Sequence, residues 1–229
     1  MNLDLLQQLN EARSAKRRAA MVRWLETHDE ALVVDGSVLA GDLDDATMAA
    51  VADCLRADRS RMVETAAGPA FVQIFNPPLR LIVVGAVHIT QALAPMASLT
   101  GYAVSVIDPR GAFATKDRFP EVSLVDDWPD EAMEALAPDR RTAVVTLTHD
   151  PKLDDPALDV ALRSEAFYIA ALGSRRTHAG RVERLAALGH DETAIARIHG
   201  PAGIDIGAVS PAEIALSVMA EMTSVLRRE

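Results

Sequence analysis

The stretch "LIVVGAVHIT", residues 81–90, decides the fold. Its four apolar residues followed by a glycine predict a buried strand that turns sharply into a helix. A phosphate-binding turn has the pattern G-x-G-x-x-G/A, whose second glycine lets a pyrophosphate approach the backbone. Gly85 fits the first position, whereas Val87 and Thr90 occupy the second and third. The stretch therefore indicates a nucleotide-binding fold but is only a weak signal that this turn binds a nucleotide.

The chain after this strand alternates between apolar runs and helical patterns. Successive apolar runs read "RLIVVG", "YAVSVID", "VSLV", "TAVVTLT" and "AFYIAAL". Strands that are apolar throughout and separated by helices are typical of a parallel sheet buried on both faces. We therefore predict an α/β fold, a Rossmann-like doubly wound parallel sheet over residues 79–229. Such sheets bind ligands at the carboxyl ends of their strands.

Residues 1–75 have a different pattern and predict a small N-terminal α+β domain. We expect a helix over about residues 3–27, a strand at "ALVVDG", a helix over about residues 44–58 and a strand at "AFVQIF". The segment "NPP", residues 76–78, then interrupts the pattern. Because prolines are excluded from central strands, this segment is predicted to be the linker.

Composition excludes several classes of protein. The 229 residues are 49% hydrophobic and 24% charged, with a net charge of −10, which argues against nucleic-acid binding. There is no run of 18 apolar residues, and the N-terminus does not resemble a signal peptide, so we expect a cytoplasmic protein without membrane insertion. The one cysteine, Cys54, excludes a disulfide framework within one chain and is expected to be buried on a helix.

The first two strand-to-helix turns supply candidate ligand contacts. Those of the first turn come from Gly85, Ala86, Val87 and His88. Asp108 follows the second strand about 20 residues after the glycine turn, the position from which a carboxylate bonds ribose hydroxyls. A turn-forming aspartate before a proline explains it as well. Arg110 is a candidate contact for an adenine face or a phosphate.

The third turn and a later glycine-rich loop contain histidines beside aspartates. Thr148, His149 and Asp150 end the strand "TAVVTLT", where an acid–base pair and a plain turn are both possible. His199, Gly200 and Asp205 lie in "RIHGPAGIDIGAVSPAE". Long glycine-rich loops are often functional, although this one also connects to the last helix.

The fourth turn gives the strongest physical signal. It consists of Gly173, Ser174, Arg175 and Arg176. Ser174 can cap the following helix, so the first-turn N–H groups and two guanidinium groups would surround an anion. Cations at a helix N-terminus oppose the macrodipole, and the turn therefore predicts either a bound anion or an internal ion pair.

Two blocks of sequence resemble a known family. They are "ALGSRRTH" and "IHGPAGIDIGAVSPAEIA". From about Pro77 to Met222 the chain is similar to the xanthine dehydrogenase accessory factors, the XdhC/CoxI/CoxF family. The resemblance implies an assembly factor, or chaperone, that binds the molybdenum cofactor, shields it during sulfuration and passes it to an apo-molybdenum hydroxylase. It also implies a small N-terminal domain, a Rossmann-type domain and a homodimer.

The chain departs from the family pattern at two places. The family's first turn reads G-A-G-H, where this chain has Val87. The family's N-terminal motif G-S-V-S-G-G-C-x-E corresponds to "GSVLAGDLD", residues 36–44, which places Asp42 at the cysteine. A hard carboxylate and a soft thiolate are not equivalent ligands at a molybdenum centre. We therefore expect a divergent, short, CoxF-like member.

Three functional hypotheses follow. The first is a maturation factor whose crevice binds the dinucleotide form of the molybdenum cofactor, or FAD, with phosphate bound by the fourth turn. The second is an NAD(P)-dependent oxidoreductase using His149 or His199, but the sequence contains no Tyr-x-x-x-Lys pair and no nucleophile elbow. The third is a scaffold with an empty crevice, which docks the apo-enzyme by its surface.

Overall fold

The computed structural model describes residues 3–228, and the chain divides after Pro77 into two compact units. The first unit is a five-stranded antiparallel sheet with strand order β3-β2-β1-β5-β4 and two helices. Its elements are α1 (Leu3–Ser14), β1 (Ala19–Trp24), β2 (Glu30–Val34), β3 (Ser37–Ala40), α2 (Asp45–Arg56), β4 (Arg61–Thr65) and β5 (Gly68–Phe75).

The prediction of one helix over residues 3–27 was wrong, because α1 ends at Ser14 and β1 follows. β1 is the central strand of the sheet and is buried on both faces. Val22 packs into the apolar core that includes α2, whereas Met21 packs into the core that includes α1. An apolar run without alternation does not distinguish such a strand from a buried helix.

The segment that corresponds to the family's cysteine motif forms a hairpin and a loop. Asp35 and Gly36 both have positive φ, as a tight hairpin turn between β2 and β3 requires. Asp42 is exposed in the loop that follows β3. Asp44 then caps α2 by accepting a hydrogen bond from the Thr47 N–H at 2.7 Å. Cys54 is completely buried in α2, as expected from its apolar helical face.

The second unit contains a six-stranded, all-parallel sheet with strand order β11-β10-β9-β6-β7-β8. Its strands are β6 (Leu79–Val84), β7 (Tyr102–Ile107), β8 (Ser123–Val125), β9 (Thr142–Thr146), β10 (Tyr168–Ala171) and β11 (Ile198–His199). Counted from β6 as the first strand, the order is 3-2-1-4-5-6, that of the Rossmann fold. The predicted Rossmann-like sheet is thereby confirmed. β11 was not predicted, because two residues are too few to form a pattern.

Helices cover both faces of this sheet. They are α3 (His88–Leu99), α4 (Pro129–Leu136), α5 (Pro151–Arg163), α6 (Arg175–Ala187), α7 (Glu192–Ile195) and α8 (Pro211–Arg228). α3 and α8 pack in one core with Leu81 and Val83, and α4, α5 and α6 pack in the other with Ile82 and Val84. This double burial explains why most positions of the central strands are apolar. Across residues 3–228, the structure contains no helix both long and apolar enough to span a membrane.

Candidate functional site

The predicted site residues lie on the turns that follow five neighbouring parallel strands. In sheet order these turns are at Asp108–Arg110 after β7, 85–88 after β6, 148–150 after β9, 173–176 after β10, and His199 with Gly200 at the end of β11. Because the strands are parallel, all five turns lie at one edge of the sheet, which we call the carboxyl edge. The strand order reverses between β6 and β9, the place where such sheets open a ligand crevice.

The turn after β6 requires glycine at its first position. Gly85 has a φ of +111°, and a Cβ there would lie 2.7 Å from the Thr148 methyl carbon of the neighbouring turn. Thr90, at the family's third small position, is buried and donates a hydrogen bond to the Gly85 carbonyl at 2.5 Å. The Thr90 hydrogen bond therefore stabilises the turn after β6, and Gly85 allows this turn to pack closely against the turn after β9.

Val87 fits this turn without strain. Its φ of −97° is open to any residue, and its side chain packs against the core that contains α3. It precedes α3 and offers no side-chain cap. The neighbouring His88 is exposed, with Nδ1 lying 3.1 Å from the Gln91 amide oxygen. Valine at this position is thus compatible with the fold, but adds a side chain where a glycine would leave space for a pyrophosphate.

The Asp108 carboxylate is hydrogen-bonded by groups of the protein itself. Its carboxylate is fully buried and accepts hydrogen bonds from the Ala86 N–H at 2.8 Å, the Arg110 N–H at 3.0 Å, and Arg110 Nε and Nη2, both at 2.8 Å. Burial alone would raise the pKa of Asp108, but the hydrogen bonds from Arg110 and Ala86 outweigh it and lower the pKa. A ribose contact with this carboxylate would require the Arg110 side chain, which also lies over the Phe113 ring, to move.

The turn after β9 is a helix cap with an exposed histidine. The Asp150 carboxylate accepts a hydrogen bond from the Lys152 N–H at 3.0 Å and caps α5. His149 has a φ of +62°, in the left-handed region, and is exposed. Within residues 3–228, no hydrogen bond joins His149 to Asp150. The Thr148 hydroxyl accepts a hydrogen bond from the Asp150 N–H at 3.0 Å and donates one to Asp154 Oδ1 at 2.7 Å. In this conformation the histidine and aspartate form a turn and not an acid–base pair.

The turn after β10 leaves two arginines free. Ser174 caps α6 by accepting a hydrogen bond from the Thr177 N–H at 3.1 Å. Arg175 and Arg176 are exposed in the first turn of α6, and neither has an ion-pair or hydrogen-bond partner in the described chain. The internal ion pair that the sequence left open is not formed. The N–H groups of these first helical residues also lack acceptors within the helix and add further hydrogen-bond donors to the turn.

His199 is part of a partly buried polar network that the sequence did not reveal. Its Nδ1 lies 3.2 Å from Glu221 Oε1, and its ring centroid lies 4.8 Å from that of Tyr168. The Tyr168 hydroxyl donates to Glu221 Oε2 at 2.6 Å. Burial and this carboxylate raise the pKa of Tyr168, which therefore stays protonated. Asp205 lies apart from the network, exposed in the following loop, where it accepts from the Gly207 N–H at 3.3 Å.

Sequence reasoning missed three polar side chains below these turns. Asp154 and Arg181 have only 1% and 2% of their surface exposed, and Arg181 Nη2 lies 3.8 Å from Asp154 Oδ2. His178 is packed against Gly200, where a Cβ would collide with its ring. Burial, followed by the Arg181 charge, lowers the pKa of His178, which favours its neutral form. In the sequence, the helical pattern of α6 does not distinguish a buried arginine from an exposed one.

The donor set suits an anionic group better than a metal. The part of the chain that the structure describes contains no group of three or more His, Cys, Asp or Glu side chains placed to bind a metal ion. The one thiol, Cys54, is buried in the first unit. The free arginines of the α6 turn, by contrast, match phosphate chemistry. The residues present therefore fit the phosphate-bearing part of a nucleotide cofactor.

Together, the strand order, the glycine turn and the cationic turn define a Rossmann-type domain of the class that binds nucleotides at the carboxyl edge. Comparison with known proteins gives the family. The family described as "XdhC Rossmann domain" matches residues 81–222, more than half of the chain. The chain belongs to the XdhC family.

Curated relatives and a solved structure agree with this assignment. The chain is 33% identical over 159 residues to a probable xanthine dehydrogenase subunit of Bacillus subtilis (strain 168), covering 69% of this chain and 46% of that protein. It is 34% identical over 151 residues to "Molybdenum cofactor insertion chaperone PaoD" of Escherichia coli (strain K12), covering 66% and 41%. The chain thus spans less than half the length of both relatives.

The structural comparison covers the whole chain. A crystal structure of a xanthine dehydrogenase from Bacillus halodurans matches with a TM-score of 0.74 and 26% sequence identity. The match includes 100% of this chain and 66% of the other one.

Proposed function

We propose that this chain is a maturation factor for a molybdenum hydroxylase, and that it binds a phosphate-bearing cofactor at the carboxyl edge before delivery to the apo-enzyme. Family membership supports this role, as does the similarity to a protein named as a molybdenum cofactor insertion chaperone. The proposal further places the chain in the cytoplasm as a homodimer, on the family resemblance alone.

One observation argues most directly for an anionic ligand. Arg175 and Arg176, at the N-terminus of α6, have no ion-pair partner among residues 3–228, although the chain as a whole is acidic, with a net charge of −10. Other arginines near the carboxyl edge are neutralised: Arg110 pairs with Asp108, and Arg184 pairs with Asp155. Two unpaired cations beside the positive end of a helix dipole are unfavourable without an anion. A bound phosphate would remove this cost.

The ligand is proposed to be the dinucleotide form of the molybdenum cofactor, or FAD, in preference to NAD(P). Its phosphates would bind at Ser174, Arg175 and Arg176 and not at the glycine turn, where Val87 replaces the second glycine. Arg110 and His199 would line the remaining crevice. The chain offers no accessible thiol, because Cys54 is buried and the family's cysteine position is Asp42. We therefore propose that the nucleotide end is bound here and that the metal end is not bound by cysteine.

The loop after β11 provides a candidate contact for the client enzyme. Ile204, Ile206 and Val209 are exposed there, Val209 to 86%. Clustered exposed apolar side chains are typical of surfaces that bind other proteins. The loop begins at the carboxyl edge, next to His199, so a docked apo-enzyme would be near the proposed cofactor.

A specific observation favours a second candidate, a docking scaffold with an empty crevice. Asp108 has no exposed surface, since Arg110 covers it with two side-chain hydrogen bonds. With Arg110 in this position the crevice has no ribose contact at Asp108, and the chain would act through its surface.

Maturation of a client separates the two candidates. The molybdenum hydroxylase of the same organism would be produced with the wild-type chain, with a variant in which Arg175 and Arg176 are alanine, and without the chain. We expect the wild-type chain to raise the molybdenum content and activity of the hydroxylase, and the variant to lose most of this gain. Equal gains from wild type and variant would favour the scaffold. No gain from either would contradict the maturation role.

A further inference from the structure

The second unit contains a cavity of about 300 Å³ between α5 and α6. Residues of both adjoining turns line it, among them His149 after β9 and Arg176 after β10. Asp154 of α5 and Gly180, Arg181 and Arg184 of α6 form its walls. Its volume is at the lower end of the range for small-molecule sites and suits a single small group better than a whole dinucleotide.

Two residues that line this cavity, Asp154 and Arg181, have buried polar atoms without partners. Arg181 Nε and Nη1 and Asp154 Oδ2 are buried, and none has a hydrogen-bond partner within residues 3–228. Arg181 makes one hydrogen bond, from Nη2 to the Leu172 carbonyl at 2.9 Å. Its distance of 3.8 Å from the Asp154 carboxylate is too long for a hydrogen bond. Leaving such groups buried without partners is costly, so a ligand that supplied their missing partners would be bound favourably.

The charges around the cavity favour an anion. Arg184 is neutralised by a two-point contact with Asp155, at 2.5 and 3.1 Å. Asp154 compensates one of the two remaining guanidinium groups, Arg181 and Arg176, which leaves a net positive charge. The first turn of α6 adds the positive end of its dipole.

Gly180 provides space in this wall. It lies in the middle of α6, where glycine is about 1 kcal/mol less favourable than alanine. A Cβ at this position would meet only Arg184 Nη1, at 3.5 Å, an ordinary contact. The backbone therefore does not require glycine here, and the residue keeps the cavity open at a cost to helix stability.

We propose that this cavity binds one phosphate group, that a shift of the Arg181 side chain lets Nε and Nη1 donate hydrogen bonds to its oxygen atoms, and that Asp154 takes up a proton from solvent as the phosphate binds. The protonated Asp154 Oδ2 then donates to a phosphate oxygen instead of repelling it. That the phosphate belongs to a nucleotide cofactor rests on the proposed function. That the cavity binds an oxyanion does not.

The surroundings of Asp154 favour its protonated form by raising the pKa of its carboxyl group. Burial raises the pKa of its carboxyl, although the Thr148 hydrogen bond and the charges of Arg181 and His149 act against the rise. Arg184 and Asp155 on the neighbouring positions largely cancel each other. An anion beside Asp154 adds like-charge repulsion and raises the pKa further. Anion binding and proton uptake are consequently coupled, and each favours the other.

Sulfate and inorganic phosphate are the probes that test the subsite. Sulfate does not change its charge between pH 5 and 8. In a calorimetric titration with sulfate, any dependence of the affinity on pH therefore comes from protons bound by the protein. We expect wild-type affinity to rise as the pH falls, by up to about tenfold per unit for one coupled proton. Because His149 also lines the cavity and can gain a proton in this range, the comparison is made in a His149→Gln background. There, Asp154→Asn, whose amide donates at every pH, should bind sulfate as tightly as its Asp154 parent or more tightly, with no dependence on pH. Wild-type affinity that is independent of pH, or absent at pH 5.5, would overturn the proposal.

Gly180→Ala tests the same cavity without removing a charge, should Asp154→Asn fail to fold. We expect weaker sulfate and phosphate binding at every pH, with a melting temperature equal to or above that of the wild type. Unchanged affinity would contradict binding in this cavity.

Competition by cytidine 5′-monophosphate, but not by cytidine, would identify a nucleotide phosphate as the occupant. Sulfate binding with the expected pH dependence but no competition would keep the subsite and contradict its link to the proposed cofactor.

Discussion

Replacing Arg175 and Arg176 together with alanine should weaken the binding of FAD or a cytidine nucleotide about a hundredfold or more. Each guanidinium at the start of α6 is free to make charge-assisted hydrogen bonds to phosphate. Such bonds contribute about 1.5–3 kcal/mol each, and a loss of about 3 kcal/mol corresponds to a factor of more than 100 in affinity. Fluorescence or calorimetric titration of both proteins at fixed ionic strength measures the difference, since salt screens these contacts.

Val87→Gly is the matched control for this experiment. It restores the second glycine of the phosphate-binding pattern at a position whose φ of −97° needs no glycine. If phosphate binds at the α6 turn, this variant should change affinity less than threefold. A large gain in affinity for Val87→Gly, together with wild-type affinity for the double alanine variant, would place the phosphate at the α3 turn and contradict our assignment.

Gly85→Ala should destabilise the second unit by about 3 kcal/mol or more. The residue has a φ of +111°, which costs a non-glycine residue about 1–3 kcal/mol. Its new Cβ would also lie 2.7 Å from Thr148 Cγ2, and crowding in a packed interior costs a further 1–3 kcal/mol or so. Denaturant unfolding of the wild type and variant, monitored by circular dichroism, measures the change in the free energy of unfolding.

Two variants separate strain from crowding at Gly85. Gly101 has a similar φ of +91° but nothing within 4 Å of its Cβ position, so Gly101→Ala should cost only about 1–2 kcal/mol. Adding Thr148→Ser to Gly85→Ala removes the opposing methyl group and should recover part of the loss. Equal costs at the two glycines, with no recovery, would show that the turns after β6 and β9 are not closely packed.

The second unit was predictable because its sheet is buried on both faces. The central strands are apolar at most positions, as in Leu79–Val84, where Arg80 is the exception, and each ends at a turn residue. The type and order of the elements therefore follow from the pattern. The same property made β1 misleading in the first unit: Ala19–Trp24 is also buried on both faces, and without neighbouring turn signals it reads as a helix. Pattern identifies burial, but it does not always identify the element that is buried.

The candidate site was predictable in position and not in its contacts. Sequence places Asp108 and Arg110 after one strand, but only the fold shows that Arg110 occupies the Asp108 carboxylate. Likewise, Arg181 and Asp154 are ordinary members of two helices until packing brings them together. Pairings of side chains from different elements depend on three-dimensional geometry, which spacing along one chain does not supply.

The central claim, that the carboxyl edge binds a phosphate-bearing cofactor, is tested most directly on the protein as purified. Its absorption spectrum would be recorded, the protein heated, and any released small molecule identified by mass spectrometry, alongside the Arg175→Ala/Arg176→Ala variant. We expect the wild type to release a molybdopterin dinucleotide or a flavin, and the variant to release little. A wild-type protein that releases nothing, and whose melting temperature does not rise with FAD, NAD(P) or cytidine nucleotides, would contradict the claim, because a ligand of the folded state must stabilise it.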